Sequence, residues 1–194
     1  MHDTLITYIN SKLTTKLSEE DSNLLASVFK PKKFRKHQYL LQEGEVCKFA
    51  GFIVKGAFKQ YTVDKTGKEN ILGLYIENFW VGDRESFMVG TPSPYFIDAF
   101  EDVEMLMVNR EDFINKLSRQ PFINEMIKVV TEKQSFNLLK RVQAAQTLTA
   151  EERYEDFEKR FPEFMQRFPQ HIIASYLGMT KETLSRIRAG SIKK

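Results

Sequence analysis

The chain has little of what most catalytic, metal-binding or membrane-spanning proteins need. Of its 194 residues only one is cysteine, Cys47, which excludes an internal disulfide framework and a protein-ligated iron–sulfur cluster. That thiol is expected in a buried apolar contact. The three histidines, His2, His37 and His171, lie far apart with no neighbouring carboxylate pattern, so no metal site is expected. No apolar run approaches the roughly 20 residues that span a bilayer. The opening Met1-His2-Asp3-Thr4 lacks the basic and apolar regions of a secretion signal, and the expected compartment is the cytoplasm. A Ser-His-Asp set, a Cys-His pair and a glycine-rich phosphate loop are all missing, so no enzymatic activity is expected. Internal repeats, low-complexity tracts and Gly/Ser linkers are missing too. What remains is 42% hydrophobic and 28% charged, ordinary for a soluble protein and long enough for one large domain or two small ones.

The most specific pattern that is present runs from Gln170 to Ile187 and reads as a helix-turn-helix. Small Ala174 allows a second helix to cross the first closely, Gly178 can take the positive φ that ends the first helix, and Leu184 and Ile187 bury the inner side of the second. Pro169 suits the first turn of the opening helix and Thr180 the N-cap of the second, which outlines helices near 169–177 and 181–189. Lys181, Glu182, Ser185 and Arg186 then project from the exposed N-terminal half of the second helix, the half that meets base edges, while Thr180 and Thr183 place hydroxyls where a phosphate would lie. Gln170 and His171, at the start of the first helix, complete the candidate DNA-binding set. Charge agrees independently. Arg167, Lys181, Arg186, Arg188, Lys193 and Lys194 face one acid, Glu182, so this end carries +5 while the whole chain carries +3 and the remainder −2. A polyanion-binding end attached to a near-neutral module fits that asymmetry. The competing reading is a plain helical hairpin with a solvated charged face.

Upstream, two helices are expected near 3–12 and 18–29, the second capped by Ser18 and favoured by Glu19, Glu20 and Asp21, with Pro31 closing the region. From Lys32 to Asn109 short β-rich runs follow, at 39–41, 49–54, 58–63, 70–76, 95–100 and 105–108, separated by turn signals. That spacing predicts an N-terminal β-roll or jelly roll. Asn109 to Asp112 opens a short helix to about Leu117, and Pro121 opens a long one. In the long helix Phe122, Met126, Val129, Lys133, Phe136 and Leu139 form a stripe that Ile123, Ile127 and Val130 widen. Such a stripe suits a helix that packs on its own domain and on a second copy of itself. Thr149-Ala150-Glu151-Glu152 has the capping-box order and starts another helix, which Pro162 stops. The class is therefore α+β: a β-roll sensor domain over 1–118, a dimerisation helix over 119–147 and an all-α helix-turn-helix domain over 148–194.

This order resembles the Crp/Fnr family of bacterial transcription regulators, and the resemblance covers nearly the whole chain. Gly44, Gly56 and Gly82 look like the turn glycines of the family's cyclic-nucleotide-binding-like roll. Lys181-Glu182-Thr183-Leu184-Ser185-Arg186 is similar to its recognition-helix motif, and the ending 173–178 with 184–188 looks like the Bacteroidetes-type branch. The resemblance implies a homodimer on double-stranded DNA, RNA polymerase as a partner, and contacts from Lys181 and Arg186 to guanine or phosphate and from Glu182 to cytosine. It also implies an effector site over Gly82, Asp83, Arg84, Glu85, Ser86 and Tyr95, with Asp83 where the family's Glu bonds ribose. Here the chain departs from the family's pattern. Thr91-Pro92-Ser93-Pro94-Tyr95 stands where the family's phosphate-binding arginine belongs, so a buried phosphate loses its main partner and Asp83 and Glu85 add repulsion. The expected effector is therefore not cyclic AMP and stays unidentified, and no cofactor is assigned. The family's β-hairpin wing after the recognition helix is also not expected. Two readings compete with a DNA-binding regulator: a ligand-sensing adaptor whose tail binds a protein partner, and a cupin-like enzyme, against which stands the single roll histidine, His37.

Overall fold

A computed structural model describes residues 1–191; Lys193 and Lys194, counted above in the basic end, lie outside the described residues. Two helices open the chain, α1 (His2–Asn10) and α2 (Glu19–Val28). The Ser18 hydroxyl accepts from the Asp21 N–H at 3.0 Å and the Asp21 carboxylate accepts from the Ser18 N–H at 3.2 Å, a reciprocal cap that starts α2 where the acidic run favours it.

Eight strands follow: β1 (Lys30–Phe34), β2 (Tyr39–Leu41), β3 (Phe49–Lys55), β4 (Phe58–Val63), β5 (Glu69–Tyr75), β6 (Trp80–Val81), β7 (Phe96–Ala99) and β8 (Val103–Asn109). They form two four-stranded sheets, β1-β8-β3-β6 and β2-β7-β4-β5, the jelly-roll-like arrangement expected from the turn spacing. Period-two alternation sends neighbouring side chains to opposite faces. Ile53 and Met105 join Phe34, Leu41, Phe58, Ile97 and Ala99 in a core shared by both sheets. Their neighbours Phe52 and Leu106 join Leu5, Ile9, Leu25, Ile123 and Met126 under the helices.

Three elements differ from expectation. Pro31 does not close the N-terminal region but sits inside β1, opposite Leu106. Because β1 is an edge strand, the missing N–H of Pro31 is tolerated there, and its lysine-rich sequence hid the strand from any apolar pattern. The two-residue β6 is too short to show alternation. Between it and β7 lies a helix, α3 (Arg84–Val89). The helix expected after Asn109 is present as α4 (Arg110–Asp112), capped by the Asn109 side chain, and runs into a π-helical turn at Phe113–Leu117.

Gly56 holds the β3–β4 turn at φ +99°, where a Cβ would stand 2.4 Å from the Asp102 carbonyl oxygen and 2.9 Å from Val103 Cα. Both neighbours are backbone and cannot step aside. Gly56→Ala is expected to cost about 2–5 kcal/mol from left-handed strain plus overpacking. Thermal unfolding measures it; an unchanged midpoint would refute this account of the turn.

Helix α5 (Pro121–Thr147) leaves the roll, followed by α6 (Ala150–Arg160), α7 (Pro162–Arg167), α8 (Gln170–Tyr176) and α9 (Lys181–Ser191). The Thr149 capping box is formed, its hydroxyl accepting from the Glu152 N–H at 3.3 Å and its N–H donating to Glu152 at 2.8 Å. The chain divides into two compact units: residues 1–62 with 75–132, and residues 63–74 with the chain from Lys133 onward. The stripe on α5 divides with them. Ile123 and Met126 are buried in the first unit's core, while in the second Phe136, Leu138 and Leu139 are 63%, 60% and 65% exposed. The second unit has its own core of Tyr154, Phe157, Phe164, Phe168, Ile172, Ile173, Ala174 and Leu184.

Candidate nucleic-acid interface

Helices α8 and α9 meet at a corner built as the spacing requires. Ala174 and Leu184 are buried, Ile187 is half-buried, and Gly178 turns the chain at φ +69°. The Gly178 N–H donates to the Ser175 carbonyl at 3.1 Å and the Met179 N–H to the Ala174 carbonyl at 3.0 Å, satisfying the orphan carbonyls at the end of α8. Pro169 is the N-cap of α8 rather than a residue of its first turn, with ψ 158°. This follows from the extended backbone that Phe168 also adopts, ψ 136°, as residues preceding proline do. Thr180 caps α9: its hydroxyl accepts from the Thr183 N–H at 3.1 Å and lies 3.1 Å from the Thr183 hydroxyl.

With Leu184 held beneath, Lys181, Glu182, Ser185 and Arg186 all stand exposed on one side of α9. Thr180 and His171 are exposed as well, whereas Gln170 and Thr183 are half-buried. Hydrogen bonds from its own backbone N–H and from Thr180, with the charges of Lys181 and Arg186 contributing less, hold the Glu182 carboxyl below the usual carboxylate range. It is an ionised acceptor at neutral pH. The surface therefore offers two cations, a carboxylate and hydroxyls in a row on a helix, the donors and acceptors that base edges require.

The segment 82–95 that the resemblance assigns to an effector is tied together by bonds of its own. Asp83 is buried and turned onto α3, its carboxylate accepting from the Glu85 N–H at 3.0 Å and the Ser86 N–H at 3.3 Å. At the other end of α3 the Arg110 guanidinium donates to the Phe87 carbonyl at 2.7 Å and the Met88 carbonyl at 3.0 Å. An acid at the N-terminus and a base at the C-terminus both suit the helix dipole. Ser86 is buried, accepting from the Cys47 N–H at 2.8 Å and donating to the Thr91 carbonyl at 2.5 Å. Ser93, in the stretch 91–95, is buried: its carbonyl accepts from the Gly44 N–H at 2.8 Å and its hydroxyl accepts from the Tyr95 N–H at 3.2 Å. Arg84 and Glu85 are exposed, Gly82 and Tyr95 half-buried, and the Arg84 guanidinium bonds Thr131 on α5. The Tyr75 hydroxyl donates to Gln60, and the Tyr75 ring packs against the core between the sheets.

These residues do not fit a nucleotide phosphate. The first N–H groups of α3, which could grip an anion, are already held by the Asp83 carboxylate, and the stretch 91–95 offers no arginine. Sequence reasoning missed Arg110 because nothing in its spacing links it to the end of α3; only the roll brings it to the Phe87 and Met88 carbonyls. Cys47 is buried as expected, and burial pushes its thiol up.

Residues 31–120 match the cyclic nucleotide-binding domain family. An anaerobic regulatory protein of Haemophilus influenzae is 24% identical over 183 residues, which cover 88% of this chain and 70% of the relative. Among solved structures, FixK2 from Bradyrhizobium japonicum aligns at TM-score 0.69 and 18% identity, over 84% of each chain. A CooA variant from Carboxydothermus hydrogenoformans aligns at TM-score 0.64 and 23% identity, over 91% of this chain and 81% of that one. A cyclic-nucleotide-binding-type roll, a long helix and a helix-turn-helix thus define the class. The roll is thus of the cyclic nucleotide-binding domain family, and the chain as a whole is similar to regulators of the Crp/Fnr type.

Proposed function

We propose that the chain is a homodimeric, cytoplasmic DNA-binding regulator that reads a near-palindromic site with α9. In this reading residues 1–118 are the sensor-type roll, 119–147 the dimerisation helix and 148–194 the DNA-binding domain. The observation that carries it is the outward row Lys181, Glu182, Ser185, Arg186 over buried Leu184. Thr180 and Thr183, with Gln170 and His171 from α8, flank that row where backbone phosphates run, and phosphate contacts supply most of the affinity while base contacts choose the site. RNA polymerase is the partner that a transcription regulator of this family implies. The segment 82–95 is not a cyclic-nucleotide site, since Asp83 closes it from within.

Selection from a randomised duplex library, followed by binding to the selected operator at two salt concentrations, tests this. Affinity is expected to fall about 10³- to 10⁵-fold between 50 and 200 mM salt if six to ten phosphates are contacted. Cyclic AMP at millimolar concentration is expected to leave the affinity unchanged. It is also expected to leave unchanged the fluorescence of Trp80, the chain's single tryptophan, two residues before Gly82. A library that yields no salt-dependent binder sinks the DNA reading. A saturable cyclic-AMP response sinks the closed segment.

A further inference from the structure

Within the second unit three elements converge on the corner that launches α9. The Ser175 hydroxyl, on the last turn of α8, accepts from the Ile71 N–H of β5 at 3.0 Å and donates to the Glu69 carbonyl at 3.3 Å. β5 is the edge strand of its sheet, so this one hydroxyl makes the donor-acceptor pair that a neighbouring strand would make. One residue further on β5, the Leu72 carbonyl accepts from the Arg141 guanidinium of α5 at 2.8 Å. The same guanidinium lies 4.1 Å from the centre of the Tyr176 ring, next to Ser175 on α8. Tyr176 in turn packs on Phe157 of α6, ring centres 5.5 Å apart.

The hairpin end that receives these bonds is itself stiff. The Asp64 carboxylate accepts from the Thr66 N–H at 2.8 Å and the Lys68 N–H at 3.1 Å, and the Asp64 N–H donates to the Lys68 carbonyl at 3.0 Å. On the other side, the Ser175 carbonyl closes the turn by accepting from Gly178. Beyond it α9 is fixed to α8 through buried Leu184. A rigid path thus runs from α5 through Arg141 to the β5 edge and to Tyr176, and from Ser175 through the Gly178 corner to α9.

We infer that Arg141 and Ser175 are positioning residues that set the angle of α9 against α5, and through it the half-site spacing that a dimer accepts. The inference rests on the DNA-binding dimer proposed above. In a dimer joined along α5, the separation of two recognition helices is fixed only if each is held rigidly to its own α5; half-sites lie about 34 Å apart, one helical turn. Neither residue touches DNA in this scheme. Arg141 does more than carry charge: a planar guanidinium can bond a carbonyl and stack on a ring at once, which an ammonium cannot.

The test uses the full chain, the operator selected with wild-type protein, duplexes in which one or two base pairs are inserted or removed between half-sites, and a duplex with a single half-site. Wild type is expected to lose about tenfold or more in affinity per base pair of altered spacing, because each insertion also rotates one half-site about the helix axis. Arg141→Lys and Ser175→Ala are expected to flatten that profile to within about threefold while single half-site affinity stays at the wild-type value. Arg141→Lys, at a half-exposed surface position, keeps the test available where Ser175→Ala unfolds. Two results overturn the inference: profiles as sharp as wild type in the folded variants, or equal losses on the single half-site and the operator, which mark a merely structural role. Wild-type protein that binds no duplex overturns the reading beneath it instead.

Discussion

Arg186→Ala is expected to weaken binding to the selected operator about 10- to 100-fold and to erase preference at one base pair in each half-site, the effect of losing a bidentate contact of roughly 1–3 kcal/mol. Three observations converge on this residue. Arg186 stands exposed two residues after buried Leu184, so its guanidinium faces away from the protein core. It lies one helical turn from Glu182, whose carboxyl stays ionised and supplies the complementary acceptor. And a guanidinium presents the planar fork that guanine O6 and N7 require, whereas Lys181 presents a point charge. Lys181→Ala is accordingly expected to weaken all sequences alike, by about one unit of salt dependence, with base preference kept. Binding to a panel of operators with single base changes separates the two. If Arg186→Ala lowers every duplex by the same factor, the assignment of base reading to Arg186 is wrong.

Replacing Phe136 and Leu139 together by Glu is expected to give a monomer whose operator affinity is about 10²- to 10⁴-fold lower, the avidity of two linked half-site contacts. Both side chains project from the second half of α5 with 63% and 65% of their surface exposed, beside Leu138 at 60% and Val142 at 47%. Four large apolar groups thus stand exposed along this half of one helix, with Phe136 and Leu139 one turn apart. A second copy of α5 covers such a patch with like chemistry, and two carboxylates per chain would face two others across it. Sedimentation reads the assembly state, and a single half-site duplex supplies the control, since its affinity is expected to stay unchanged. A variant that remains dimeric places the dimer contact elsewhere on the molecule.

Much of the architecture was legible in residue order because the responsible interactions are local. Ser18 with Asp21, Asn109 with Asp112 and Thr149 with Glu152 are caps closed within three residues, and each starts its helix where the sequence reading put it. Gly178 is the αL corner its place in the motif demanded, and the alternation in β3 and β8 shows in adjacent pairs such as Phe52 and Ile53. Strand β1 was not legible: an edge strand of lysines and a proline carries no apolar period, and only pairing with β8 makes it a strand. Asp83 was identified as part of the effector segment on resemblance, yet the same residue type serves equally as a helix cap. Which role it takes depends on α3, too short to announce itself.

Residue order alone set the longer elements, the roll-to-helix order and the charged outer side of α9, since periodicity, capping and the sterics of small residues act over a few positions. The fold decided that Tyr75 bonds Gln60 and that Arg141 and Ser175 meet the edge of β5. Partners 69 and 104 residues apart in the chain leave no spacing to read; a hydroxyl and a guanidinium are satisfied by whichever carbonyl the fold brings within reach.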